Sequence, residues 1–257
     1  MSAASSQYRD IASVIRVRIR EGAYERGKAL PKEEDLANEL EVNRVTVNRA
    51  ARILAAEGLI RVHRGVGWIV HELPPLPRDA ATRHSREARE RQGSRGALAT
   101  ELATLGYHLR SNNTVGPGQP PAQVAEILGV NPDADSVVVR ARRMFANDVP
   151  IQIATSYIPL SIAAGTLIEH EDSGVGGISS RLAELGHAQV EIEECINVRP
   201  PAPSEAAFLR MTGDQRVYEI THTGWTADDR PVKVTIYIMP TYQWNLRYRY
   251  PVDPADA

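Results

Sequence analysis

Five consecutive residues, Leu73-Pro74-Pro75-Leu76-Pro77, constrain this chain more than any other stretch. Three prolines in five positions cannot continue a helix, and they remove the backbone donors that an interior strand needs. Residues 78–95, which follow, are rich in Arg and Glu and offer little to bury. Together these stretches predict a linker over residues 73–95, with one folding unit at 1–72 and another at 96–257. A chain of 257 residues is long enough to give each unit its own core.

Charge follows the same division. Residues 1–72 carry 12 Lys/Arg against 10 Asp/Glu, residues 73–96 carry 6 against 3, and residues 97–257 carry 12 against 19. A basic front and an acidic back predict a polyanion-binding end joined to a part that binds none. No apolar run reaches the length of a membrane span, and the first ten residues lack the pattern of a secretory signal. Cys195 is the single cysteine, so no intramolecular disulfide can form, which fits a reducing cytoplasm.

The first unit reads as three helices and a hairpin. Tyr8, Ile11, Ala12, Ile15 and Ile19 repeat at helical spacing, and Gly22 ends that helix. A short helix from Lys32 to Leu40 opens on Glu33, Glu34 and Asp35, which suit the positive end of its dipole. A third helix follows Val42 with Asn43 as its N-cap, and Glu57-Gly58 stops it. Leu59 to Val70 then alternates around Gly65-Val66-Gly67, as a short hairpin does.

On the third helix, Val47, Ala50, Ala51 and Leu54 share one face. The other face holds Arg44, Val45, Asn48, Arg49 and Arg52, with Thr46 at its margin and no acid among them. Arg forks onto guanine, Asn pairs with adenine, and a Val or Thr methyl meets the thymine methyl, so this face suits the major groove. A solvated polar face would read the same way on this helix alone. The preceding short helix, the tight turn and the Gly-tipped hairpin turn the pattern into a winged helix-turn-helix. His63 and Arg64, beside Gly65, make a small basic wing tip that fits a minor groove or a phosphate.

The order of these motifs resembles the GntR family of bacterial regulators. The matching stretches are Tyr8-x-x-Ile11-Ala12, Gly22-x-Tyr24-x-x-Gly27, Leu30-Pro31-x-Glu33-x-x-Leu36-Ala37, Val42-x-Arg44-x-Thr46-Val47, Glu57-Gly58-Leu59-Ile60 and Gly65-x-Gly67-x-x-Val70. The resemblance implies that Arg44, Thr46 and Asn48 contact double-stranded DNA and that Gly65 lies on the wing. Three departures from the family pattern matter. Lys32 stands where Ser is usual, which removes a helix cap and adds a possible phosphate contact. Glu34 stands where a DNA-contacting Arg is common, and Asn48 replaces another Arg. The expected DNA-reading set is therefore Lys32, Asn43, Arg44, Val45, Thr46, Asn48, Arg49, Arg52, His63, Arg64 and Gly65.

The second unit is expected to be α+β. Strands are predicted at Ser136–Phe145, Ile151–Ile158, Val190–Val198, Arg216–Thr226 and Pro231–Met239. Helices are predicted at Ala97–Leu105, Pro121–Leu128, Ile162–Glu169, Ile178–Leu185 and Ser204–Leu209. An internal repeat links Asn147-Asp148-Val149-Pro150, ending at Pro159, with Asp228-Asp229-Arg230-Pro231, ending at Pro240. Each copy reads as a hairpin with its turn at Asn/Asp, so the sheet is expected to be pseudo-symmetric.

Val138-Val139-x-x-Arg142, Pro150, Tyr157-Ile158-Pro159 and Arg230-Pro231-Val232 resemble the UTRA domain of the HutC subfamily of GntR regulators. The resemblance implies a chorismate-lyase-like fold, an antiparallel sheet flanked by helices, with a ligand pocket. It also implies a homodimer that releases an inverted-repeat operator when an effector binds. Alternation nominates the pocket side independently: Lys233, Thr235, Tyr237 and Met239 on the last strand, Gln152, Ala154 and Ser156 on its neighbour, and Arg140, Arg142 and Met144 beyond. Such a face suits a polar or anionic ligand, and equally a solvated surface. Compared with amino-sugar-phosphate-sensing relatives, Arg142 matches an effector-contacting Arg. Met144, Ala154, Lys233 and Met239 replace their Arg, Glu, Glu and Tyr. A less polar effector with a carboxylate near Arg142 and Lys233 is expected.

Two other readings stay open. A lyase-like enzyme would need a clustered acid, base or nucleophile, but His108, His170, His187 and His222 are scattered and no metal-ligand spacing occurs. A ligand-independent repressor would use the second unit only to dimerise. No catalytic residue, metal or cofactor is expected.

Overall fold

Ile11, Ala12, Ile15 and Ile19 recur every three or four residues and form the buried stripe of α1 (Ala4–Arg20). That stripe packs on α3 (Arg44–Ala56), whose own buried positions are Val47, Ala50, Ala51 and Leu54. Two alanines at the crossing let the helix backbones approach closely. Between them, α2 (Glu33–Glu39) contributes Leu36 and Ala37 to the same core. The turn from α2 to α3 passes through Glu41 at φ +52°. Asn43 then caps α3, its Oδ1 accepting the Thr46 amide at 2.8 Å. β1 (Ile60–His63) and β2 (Gly67–Val70) close the unit as an antiparallel hairpin, from Ile60↔Val70 to His63↔Gly67.

The computed structural model describes residues 4–63, 65–83, 93, 96–212 and 214–250. They divide into two compact units. One contains the chain up to Leu76 with Thr212–Gln215 and Thr241–Gln243, and the other contains the remainder. Within the first, the Gln215 amide donates to the Ala55 carbonyl at 2.9 Å. The Tyr242 ring lies over Gly58, where an added Cβ would come within 2.0 Å of it. Gly58 therefore does more than end α3: no larger residue fits beneath that ring.

The second unit is built on a six-stranded antiparallel sheet in the order β4-β5-β6-β9-β8-β7. The strands are β4 (Leu109–Gly118), β5 (Val137–Ala146), β6 (Val149–Pro159), β7 (Glu191–Arg199), β8 (Val217–Trp225) and β9 (Pro231–Pro240). A two-stranded sheet of β3 (Leu76–Asp79) and β10 (Trp244–Arg247) and a one-turn helix α4 (Ala80–Arg83) accompany it. β6 and β9 pair at the centre, from Ile153↔Ile238 to Tyr157↔Val234. Each half of the sheet repeats one pattern. α5 (Ala97–Thr104), β4, α6 (Ala122–Leu128), β5 and β6 correspond to α8 (Gly177–Glu184), β7, α9 (Pro203–Leu209), β8 and β9. The repeat extends well beyond the two hairpins. Leu102-Ala103-x-Leu105-Gly106 returns as Leu182-Ala183-x-Leu185-Gly186, and Pro120-Pro121-Ala122 as Pro200-Pro201-Ala202.

Strand alternation gives the sheet two different faces. One packs Val124 and Leu128 of α6 and Leu209 of α9 against Val137, Tyr157, Val217, Val234 and Ile238. The other carries Arg140, Arg142, Ser156, His222, Lys233 and Thr235.

Three expectations need correction. The helix expected over Ile162–Glu169 is two short pieces, α7 (Leu160–Ala163) and a 3-10 turn (Leu167–Glu169), separated by Gly165 at φ +73°. Strand β4 was not expected, because Asn112, Asn113, Gly116 and Pro117 are poor strand formers. It is an edge strand, where Pro117 need not donate outward. Pro77 does sit in a sheet, within β3, which tolerates it because a two-stranded sheet leaves one side of each strand unpaired. Much of the expected linker, 84–92 with 94 and 95, lies outside the described residues.

Candidate functional site

The two faces of α3 separate as its amphipathic pattern demands. Arg44, Val45, Arg49 and Arg52 are exposed, Val45 at 61 % despite being apolar, while the opposite side is core. Asn48 is half-buried. Its Nδ2 donates to Glu33 Oε2 at 2.7 Å and to the Arg44 carbonyl at 3.2 Å. The same Glu33 oxygen lies 3.6 Å from the Arg44 guanidinium. Thr46 is buried instead of outward-facing, and its hydroxyl donates to Asn43 Oδ1 at 3.0 Å. Thr46 and Asn43 thus form the cap that fixes the start of α3.

Lys32 precedes α2 without a side-chain cap and is exposed. On the wing, His63 and Gly65 are exposed, Gly65 at φ +83°. Arg64 lies outside the described residues. α3 itself carries no acid, and Asn43 caps its start through the Thr46 amide.

In the second unit a cavity of about 130 Å³ opens on the polar face of the sheet. Arg140, Arg142, Met144, Gln152, Ser156, Lys233, Thr235 and Tyr237 line it, all expected from alternation. Ala154 and Met239, also expected, are buried but do not line the cavity. The rest of the wall comes from Arg83, from the start of α5 (Gly96–Ala99) with Leu109, from Ser173 and Gly176–Ser179 at the start of α8, and from His222. Gly176 and Gly177 both have positive φ, so the chain turns into α8 without a side chain in the way. Neither α5 nor α8 has a side-chain cap, and both open on the cavity. Four cationic side chains and two helix starts meet there, with no Asp or Glu in the described lining.

The cations are not equivalent. Arg140 is spent on the fold: it donates to the carbonyls of Ile168 at 2.6 Å, Glu171 at 3.0 Å and His170. Burial, with Arg142 nearby, pulls its pKa down to about 10. Arg142 has one hydrogen bond, to Ser156 Oγ at 3.0 Å, and its Nε has none. Burial lowers its pKa as well, with the Tyr237 hydroxyl opposing. Ser156 continues to Thr235 at 2.8 Å, and Lys233 Nζ donates to Ser179 Oγ at 3.3 Å. Burial pushes His222 down to about 4 against the pull of Glu194, so the imidazole is neutral at pH 7. Its Nδ1 lies 2.9 Å from Glu194 Oε1; a carboxylate only accepts, so Nδ1 carries the proton.

Alternation misses His222, Arg83 and both helix starts. The glycine run Gly174-Val175-Gly176-Gly177 before a helical pattern was the available signal for the second of these. Nothing local marks Arg83 or His222, which reach the cavity through tertiary packing.

The profile of bacterial regulatory proteins of the gntR family matches residues 7–70, and that of the UTRA domain matches residues 113–243. An HTH-type transcriptional regulator of Streptomyces coelicolor is 29 % identical over 98 % of this chain and 96 % of its own length. The histidine utilization repressor of Pseudomonas putida is 29 % identical over 95 % of this chain and 91 % of its own. In structure, PhnF of Mycobacterium smegmatis superposes with a TM-score of 0.58 at 18 % identity, covering 95 % of this chain and 99 % of that one. The two-unit fold is common to both chains. No helix among the described residues is long and apolar enough to cross a membrane. The chain belongs to the GntR family of bacterial transcriptional regulators, in the branch that joins the winged helix-turn-helix to a UTRA effector domain.

Proposed function

We propose that this regulator is a homodimeric repressor in the bacterial cytoplasm that holds an inverted-repeat DNA operator and lets it go when a small anionic effector fills the sheet cavity. Residues 1–72 read DNA and 96–257 sense the effector and dimerise, while 73–95 connect them and lend β3, α4 and Arg83 to the second unit. The observation that carries the DNA reading is the exposed side of α3, which bears no acid of its own and where Arg44, Val45, Arg49 and Arg52 stand opposite a closed apolar core. A twofold dimer presents that side twice, so two half-sites in inverted orientation follow. The named repressors among the relatives support the sign of regulation.

The effector reading rests on the under-bonded Arg142, on Lys233 and on two helix starts without a side-chain cap, in a cavity with no Asp or Glu among its described lining. That set suits a small carboxylate held between Arg142 and Lys233. Footprinting of the purified chain on genomic fragments is expected to protect paired half-sites, and Arg44→Ala to weaken binding by about 1–3 kcal/mol. Unchanged affinity and base preference in that variant would refute the assignment. Small carboxylates screened by thermal shift should stabilise the wild type and fail to stabilise Arg142→Ala or Lys233→Ala. Normal binding by both variants would remove the anionic effector.

A further inference from the structure

Asn48 is the residue on the DNA-facing side of α3 whose hydrogen-bonding capacity is already half used. Its Nδ2 has two hydrogens and two partners, Glu33 Oε2 at 2.7 Å and the Arg44 carbonyl at 3.2 Å. Both partners are acceptors only. Turning the amide over would set Oδ1 against two oxygens, so the chemistry of the partners fixes its orientation. Oδ1 is left as the atom available to a ligand, and no described residue donates to it.

An asparagine that pairs with adenine must donate from Nδ2 to N7 while Oδ1 accepts from N6. Here the donor is committed, so the two-point pairing expected from sequence is blocked. An acceptor-only side chain in the major groove is repelled by guanine and thymine, whose hydrogen-bonding edges there are acceptors. It takes a donor instead, as Asp and Glu do from cytosine N4. Adenine also offers a donor, but its N7 lies beside it and opposes a lone acceptor, whereas the groove neighbour of cytosine N4 is a C–H.

We infer that Glu33 is a specificity-determining residue: by holding the Asn48 amide nitrogen it makes Asn48 read cytosine instead of adenine in each half-site. The inference rests on α3 reading DNA as proposed above. Glu33 never touches a base in this account. It positions the residue that does, and its ion pair with Arg44 at 3.6 Å places that neighbour beside it.

The test is selection of bound duplexes from a randomised pool by the full chain, with wild type, Glu33→Ala and Asn48→Ala compared. Wild type is expected to favour cytosine roughly tenfold at one position of each half-site. Asn48→Ala should lose preference at that position alone. Glu33→Ala releases Nδ2 and should move the preference there to adenine. Adenine favoured by the wild type at the Asn48-sensitive position, or an unchanged cytosine preference in a folded Glu33→Ala, overturns the inference. The comparison of wild type with Asn48→Ala stands even where Glu33→Ala does not fold, since it reads the base directly. A pool in which wild type enriches no sequence would instead sink the DNA-reading assignment itself.

Discussion

Glu194 carries more hydrogen bonds than any other carboxylate described above. Arg78 grips both its oxygens, Tyr248 donates to Oε2 at 2.7 Å, and His222 donates to Oε1 at 2.9 Å. Burial alone would raise its pKa, but the hydrogen bonds from His222 and Arg78 hold it well below the usual carboxylate range. The Arg78 side chain is 1 % exposed, and its guanidinium also faces the Tyr237 ring at 5.7 Å. Removing one charge from a buried pair leaves the other without compensation. Glu194→Gln is therefore expected to destabilise the second unit by about 3–5 kcal/mol, read from denaturant unfolding. Arg142 and Lys233 were legible in the sequence, because alternation alone assigns them to a polar face. Arg78, Glu194 and His222 were not, because a charged residue in a linker or an alternating strand reads as solvent-facing until its partner is known.

At the scale of elements, local chemistry decided most boundaries. Asn43 was identifiable as a cap before α3 because an amide oxygen can satisfy the free N–H groups of a first turn. Its single oxygen holds both the amide and the hydroxyl of Thr46. Asn43→Ala is expected to cost about 1 kcal/mol in unfolding free energy and to weaken operator binding further, since the start of α3 loses its anchor. A variant with wild-type stability would show that the cap is dispensable. The hairpin turns were legible for a similar reason: Asn147 and Asp229 adopt φ +53° and +57°, a conformation that short polar residues tolerate best. Strand β4 escaped because its pairing, from Leu109↔Ala146 to Gly118↔Val137, owes its existence to β5 and not to its own residues.

At the scale of the whole molecule, each unit buries a neutral histidine. His71 in the first and His222 in the second are both pushed down to about 4, chiefly by burial. The folded state binds fewer protons than the unfolded chain once pH drops below the ordinary histidine value near 6.5. The stability these groups contribute is complete above that value and is lost as pH falls from there toward 4, at about 1.4 kcal/mol per pH unit for each. Urea unfolding at pH 7 and pH 5 should show both units weakened at the lower pH, and His222→Asn should flatten the dependence of the second. The sequence by itself determined the amphipathic helices, the capped start of α3 and the repeated hairpins. All of these follow from backbone sterics and the period of apolar residues, which act over a few positions. Only the tertiary structure decided that Glu33 takes the Asn48 amide, that Thr46 turns inward, and that the starts of α5 and α8 meet Arg142 and Lys233 in one cavity. The first and last of these depend on groups far apart in the chain being brought together, as when Glu33 comes within 2.7 Å of Asn48 and a hydrogen bond forms.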